Sequence, residues 1–435
     1  EVTVAGVVKI QSGELYRFSF PLDREGKTTS ELVPKIETTW QKFHESTSKV
    51  ENYNEDEFNT SFYYPLNSIT KKEIAKIGIR EFENLIQYVL VFVPEIESVE
   101  IIDDVENKKT IFTNTFDNEI ENVAKIVKQF NGSQDNIFVL NIEKENVCIA
   151  VELTEISSTF EIKEFENTPK LFCDFPLIGS EKFHFPVIIN CFDFTPLSER
   201  DGAWLKGNDE KQEIRKNKDI VENAVELYKK LLTIVTDRKY QRLYNLVNTR
   251  LPQVDDRYFD IHWYKENIQD SLKSSIKESE LIETQDNERA KVGEVYFPDR
   301  EATKEDREKI WEYSFALKVN TLPRKDHIHA WANVIWSDTN KCDIPDLVND
   351  FTKNTTLTEL QSKLDKNEND TIDWLNTFID FILKIDDSIS LFNQNNILPN
   401  QEGTFKTRKS VAIDNILVTS EPPEIDLKTI LNELG

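Results

Sequence analysis

The sequence predicts an α+β protein, rich in strands over its first half and mainly helical over its second. Three observations carry this. Up to about residue 190, apolar and polar residues alternate in short runs; beyond residue 211, apolar residues recur at three- and four-residue steps. With 38% hydrophobic and 11% aromatic residues, the 435-residue chain holds enough apolar side chain for two or three cores.

Val2, Val4, Val7 and Ile10 precede a turn at Ser12-Gly13, and Leu15 to Phe20 follows, which predicts a β-hairpin. A helix is expected from about Thr29 to Glu45, and a strand over 58–64 ends at Pro65. Thr70-x-x-Glu73 forms a capping box for a helix in which Ile74, Ile77, Phe82, Leu85 and Val89 share a face up to Pro94. From Ser98 to Asn190 short β-rich runs dominate (99–102, 110–116, 137–142, 147–153, 160–165, 170–175 and 185–190). They predict a largely antiparallel sheet, interrupted by a helix over 118–130. Ile220, Val221, Ala224, Leu227, Leu231 and Val235 mark one strong amphipathic helix, and Ile372, Leu375, Phe378, Ile379, Ile382 and Ile385 another. The polar stretch Lys273 to Lys291 between them is expected to be a mobile or solvated helical connection. Near the end, 397–405 reads as strand, tight turn and strand.

The 79 acidic and 53 basic residues leave a net charge of −26. Such a surface repels a phosphate backbone, which argues against nucleic-acid binding. The longest strongly apolar run, Tyr88 to Val93, is far shorter than a membrane span, and the opening residues lack a signal peptide's pattern. A soluble, cytoplasmic protein is expected. Cys148, Cys173, Cys191 and Cys342 are too widely spaced for a zinc knuckle or a disulfide framework, so reduced and mostly buried thiols are expected. Met is absent, and the chain opens at Glu1 on a strand-like run. Both features point to a piece of a longer protein, or to a sequence from which selenomethionines were dropped.

Few motifs carry chemistry. Gly26-Lys27-Thr28 sits between a strand and a helix, but Pro21 stands where a phosphate-cradling loop needs its first glycine, so a polar loop is expected. His327-x-His329, beside Asp326, would share one face of a strand, yet nothing nearby completes a metal set. The acidic pairs Asp103-Asp104, Asp255-Asp256 and Asp386-Asp387 read as solvated faces. Different in kind is the segment from Pro169 to Gly179, then Phe183 to Asn190, then Ser198-Glu199-Arg200-Asp201-Gly202-Ala203-Trp204-Leu205. Two apolar strands lead into a polar loop with one Arg and a Trp anchor. Arg200 suits either a structural ion pair with Glu199, Asp201 or a neighbour, or bidentate contact with a phosphate.

This segment resembles the region that follows the ATP-binding domain in sacsin-like members of the GHKL superfamily, the heat-shock-ninety and MutL type ATPases. There a Phe-Pro-Leu strand, a Phe-Pro-apolar-Asn strand and a Glu-Arg-Asp-Gly loop occur in that order. Val2 to Val8 resembles the strand after that family's glycine-rich lid. Phe18 to Arg24, Thr60 to Leu66, Tyr88 to Phe92 and Leu398-Pro399-Asn400-Gln401-x-Gly403-x-Phe405 are similar to further blocks of it. The family's Asp-x-Gly-x-Gly turn and glycine-rich lid have no counterpart among the 11 glycines, so no ATP-pocket residue is carried over.

The resemblance implies the rest of a GHKL α/β sandwich over 1–97, a strand-rich transducer-like domain over 98–210, and a mainly helical region over 211–435 with its terminal hairpin. It implies ATP and Mg²⁺ as cofactors of an intact parent, a protein client or partner, and a homodimer. A basic residue that senses the γ-phosphate is implied too, with Arg200 as the candidate and Lys206 behind it. Composition alone points elsewhere, to an acidic protein-interaction module that binds no nucleotide.

Overall fold

The computed structural model describes residues 2–51, 59–115, 120–207, 211–318, 321–384 and 388–411. The chain forms two compact units, Glu1–Asn84 and Leu85–Gly435. In the first, β1 (Val2–Lys9) and β2 (Leu15–Leu22) make the expected hairpin, with Lys9 opposite Leu15. α1 (Thr29–Ser46), β3 (Ser48–Val50), β4 (Thr60–Tyr63) and α2 (Ile69–Glu83) complete it. The strands are ordered β3-β2-β1-β4 and all pairs are antiparallel. α1 rests on β2 through Phe43, whose ring lies 5.6 Å from Phe18 and 5.5 Å from Phe20. Among the described residues of this unit Val4 is the sole buried hydrophobic side chain, whereas Trp40 (58%), Ile69 (82%) and Ile74 (64%) stand exposed.

The single helix expected up to Pro94 is two helices. α2 stops at Glu83, and α3 (Ile86–Phe92) begins anew in the second unit after Leu85, which sits at φ −117° and ψ −10°. Residues 85–90 are apolar nearly all round and all buried, so this turn and a half serves a core rather than continuing the amphipathic face of α2.

Nine strands form one sheet curled into a half-barrel: β5 (Ser98–Asp103), β6 (Lys108–Asn114), β7 (Val123–Phe130), β8 (Ser133–Lys144), β9 (Val147–Ile156), β10 (Thr159–Ile162), β11 (Leu171–Cys173), β12 (Phe175–Pro176) and β13 (Ile188–Cys191). Their order is β12-β11-β13-β9-β8-β7-β6-β5, with β10 also paired to β9; β11 and β13 run parallel and every other pair antiparallel. The helix expected over 118–130 is corrected here. Residues 116–119 lie outside the described residues, and 123–130 is β7, hydrogen-bonded to β6 and β8. A two-residue turn with Asn131 at φ 47° and Gly132 at φ 83° joins β7 to β8 and imposes the strand.

Alternation along β9 divides the layers. Val147, Ile149, Val151 and Leu153 join the core built by Val221, Ala224, Leu231 and Val235 of α4 (Gln212–Asp237). Glu152, of the other parity, accepts a hydrogen bond from Gln87 of α3 at 3.0 Å. The middle of the sheet is therefore covered on both faces, and each fully buried Val or Leu there contributes about 1.5–3 kcal/mol.

Beyond α4 the chain continues through α5 (Ile261–Trp263), a π-turn over Tyr264–Gln269, α6 (Asp270–Glu278), α7 (Lys304–Leu317), α8 (Ile328–Val334), α9 (Ile344–Phe351), α10 (Leu357–Leu364), α11 (Glu368–Leu383) and α12 (Ser388–Gln394). These elements serve two cores. Phe297, Trp331 and Ile335 pack with the sheet, whereas Ile310, Leu317, Leu347, Phe351, Phe378 and Phe405 make a second cluster. Lys273 to Lys291 is not the solvated connection expected, because Ile276, Leu281, Ile282 and Ala290 are buried in the first core. The terminal hairpin pairs Leu398 with Lys406 and Pro399 with Phe405. No helix among the described residues is long and apolar enough to cross a membrane.

Candidate functional site

After β13 the chain makes a narrow turn whose two legs are clamped. Pro196 bridges Ala203, Leu197 N donates to Gly202 O at 2.8 Å, and Arg200 N donates to Leu197 O at 2.9 Å. Arg200 at the tip adopts φ 55°. Asn217 of α4, 0% exposed, fixes both legs: Oδ1 accepts from Thr195 N at 2.8 Å, and Nδ2 donates to Thr195 O at 2.9 Å and Trp204 O at 3.0 Å. Gly179 stands against the turn at φ 118°, and a Cβ there would come within 2.9 Å of Asp201 O.

Arg200 is exposed and nearly uncommitted. Its Nη2 donates to Cys173 O at 3.5 Å, a long contact, and among the described residues it forms no ion pair, with Glu199 and Asp201 included. Burial pushes the Cys173 thiol up, and the Arg200 guanidinium partly offsets this. Lys206 is tied differently, donating through Nζ to Asp256 O at 2.7 Å. The structure thus does not bring the two cations together on a common target.

Beside the turn lies a cavity of about 450 Å³, walled by Ser198, Glu199, Asp201, Trp204, Asp255 and Arg257; neither Arg200 nor Lys206 lines it. Arg257 is already spent on Asp255, donating from Nε at 3.0 and 2.9 Å and from Nη2 as well, and it holds that carboxyl at about 2. Three carboxylates facing one neutralised guanidinium do not fit ATP. The carboxylates of Glu199 and Asp201 would meet a triphosphate with like charge.

The other candidates resolve as follows. At Gly26-Lys27-Thr28 the amides of Lys27 and Thr28 donate to Glu31 Oε2 at 2.7 and 3.2 Å, so a helix start has taken the groups a phosphate would need. His327 and His329 are not on a strand. His327 is buried at the end of a 3₁₀ turn with its ring 5.2 Å from Tyr244, while His329, in α8, meets Glu308 at 2.9 Å and Arg307 at 3.1 Å. A helix sends residues i and i+2 to different sides, which separates the pair. No group of three or more His, Cys, Asp or Glu side chains among the described residues is placed to hold a metal. All four cysteines are free, and burial raises the Cys148 and Cys342 thiols to about 12. Asp386-Asp387 lies outside the described residues.

Sequence reasoning missed Asn217. Its signal was a polar residue on the apolar stripe of α4, three positions after Ile214 and four before Val221. Comparison with protein-family models, characterised proteins and solved structures finds no match to the chain.

Proposed function

We propose that the chain is part of a GHKL-type, sacsin-like ATP-binding protein and serves to couple nucleotide binding to a conformational change, as a chaperone-like protein or a bacterial defence ATPase. The observation that carries this reading is the turn at 196–203. Its legs are fixed by a buried Asn217, yet the guanidinium at its tip has no carboxylate partner among the described residues. A rigid loop that ends in an uncommitted cation suits contact with an oxyanion brought to it, since guanidinium binds phosphate through two parallel hydrogen bonds. The described residues do not form the nucleotide pocket, and no step of hydrolysis is assigned to them.

In a longer form of the protein that hydrolyses ATP, Arg200→Ala is expected to lower kcat by about 10²-fold or more while changing ATP affinity by less than about threefold. Unchanged turnover removes Arg200 from the mechanism. A second reading, a protein-interaction module without nucleotide, is favoured by the exposed apolar residues of α2, Ile69, Ile74, Ile77 and Ile79. Calorimetry with Mg²⁺·ATP separates the two: binding to neither this chain nor a longer form leaves the second.

A further inference from the structure

Lys170 precedes β11, and its backbone is pinned on both sides. Its N–H donates to Ser180 Oγ at 3.1 Å, and its carbonyl accepts from Ile189 N at 2.8 Å. The side chain is only 5% exposed, and its Nζ lies 3.2 Å from the centroid of the Phe165 ring. Through that nitrogen it makes neither an ion pair nor a hydrogen bond to any described residue. A buried ammonium with no anionic partner is costly to keep, and a cation–π contact offsets that only in part.

Lys170 lines a cavity of about 300 Å³ at the lower end of the size range of ligand sites, with Phe165, Pro186 and Val334 as apolar wall. The charged and titratable groups facing it besides Lys170 are Glu164, Glu181, Lys182, His184 and Tyr244, and Arg250 acts on His184 from beyond. His184 sits at φ 54°, and burial together with Arg250, Lys170 and Lys182 holds its imidazole below the usual range. Burial likewise pulls Lys170 well below the ordinary lysine range, with no carboxylate acting in opposition.

We propose that this cavity binds a small oxyanion, with Lys170 as its charge partner and His184 and Lys182 in its wall. The ligand is either a phosphate-like group or a carboxylate with a small apolar body. The site is separate from the turn that carries Arg200, since no residue of 196–203 lines this cavity.

The test is calorimetry on the full 435-residue chain at pH 8.5, with sulfate, a phosphate-shaped anion that does not titrate, in one arm and benzoate in the other. Saturable binding of one anion per chain is expected, and the direction of any proton exchange is read by repeating the titration in buffers of different ionisation enthalpy. The sign follows from the direction: burial holds the Lys170 amine below its ordinary range, an anion favours its charged form, and any proton exchanged is therefore taken up rather than released. Binding of sulfate alone assigns a phosphate-like ligand, and tighter binding of benzoate a carboxylate. Lys170→Met, which removes a buried ammonium, is expected to fold and to bind at least about tenfold more weakly. Binding of neither anion, binding with proton release, or binding that is undiminished in Lys170→Met overturns the proposal. If that variant does not fold, the unaltered chain decides: anion binding that does not weaken as the pH is raised from 7 to 10 overturns the proposal.

Discussion

Asn217 holds three backbone groups with one side chain, and no other residue type of similar size offers an acceptor and two donors in that geometry. Asn217→Leu keeps the volume but leaves Thr195 N–H, Thr195 C=O and Trp204 C=O without this partner. A loss of about 3 kcal/mol is expected, read as a lower urea midpoint with an unchanged slope. Asn217→Asp spares the acceptor and loses both donors. At this scale the sequence was legible in part. Glu31 and Asp255 sit beside the motifs that drew attention, but the groups they satisfy are set by turns that no spacing rule specifies.

The turn at 196–203 is built as a unit, and its weak point is the close approach of Gly179. Gly179→Ala places a methyl group against Asp201 at a backbone angle L-residues avoid, so the turn must shift. Hydrogen–deuterium exchange is expected to quicken at Arg200 and Leu197, whose amide bonds close the turn. Gly202→Ala, whose added Cβ meets Leu197 Cδ1 at an ordinary 3.4 Å, serves as the control and should leave exchange unchanged. Elements were readable where periodicity was pure, as in α4 and the first hairpin. They were misread where a pattern fitted two periods. Val123, Ile126 and Val127 fit a helical face, yet Asn131-Gly132, a strong hairpin signal, imposes a strand. In the helix expected to run to Pro94, burial on all sides of residues 85–90 replaced one face with a whole core segment.

At the scale of the molecule, the two units differ in how much they bury. Unit 2 holds both large clusters, whereas unit 1 buries Val4 alone among the hydrophobic residues described in it. A polypeptide of residues 85–435 is expected to unfold in a cooperative thermal transition, and one of residues 1–84 to show none, by circular dichroism. A cooperative transition in the shorter piece would mean that its exposed Trp40, Ile69 and Ile74 are not needed for stability. The middle strand of the large sheet has a further consequence, for synthesis on the ribosome. β9 is buried on both faces, but the far end of α4, which covers the apolar one, follows about 80 residues later, roughly 4–16 s at ~5–20 residues per second. During that interval the nascent chain carries a sticky strand with one face bare, and its yield in a cell should depend on what shields that face until the helix arrives.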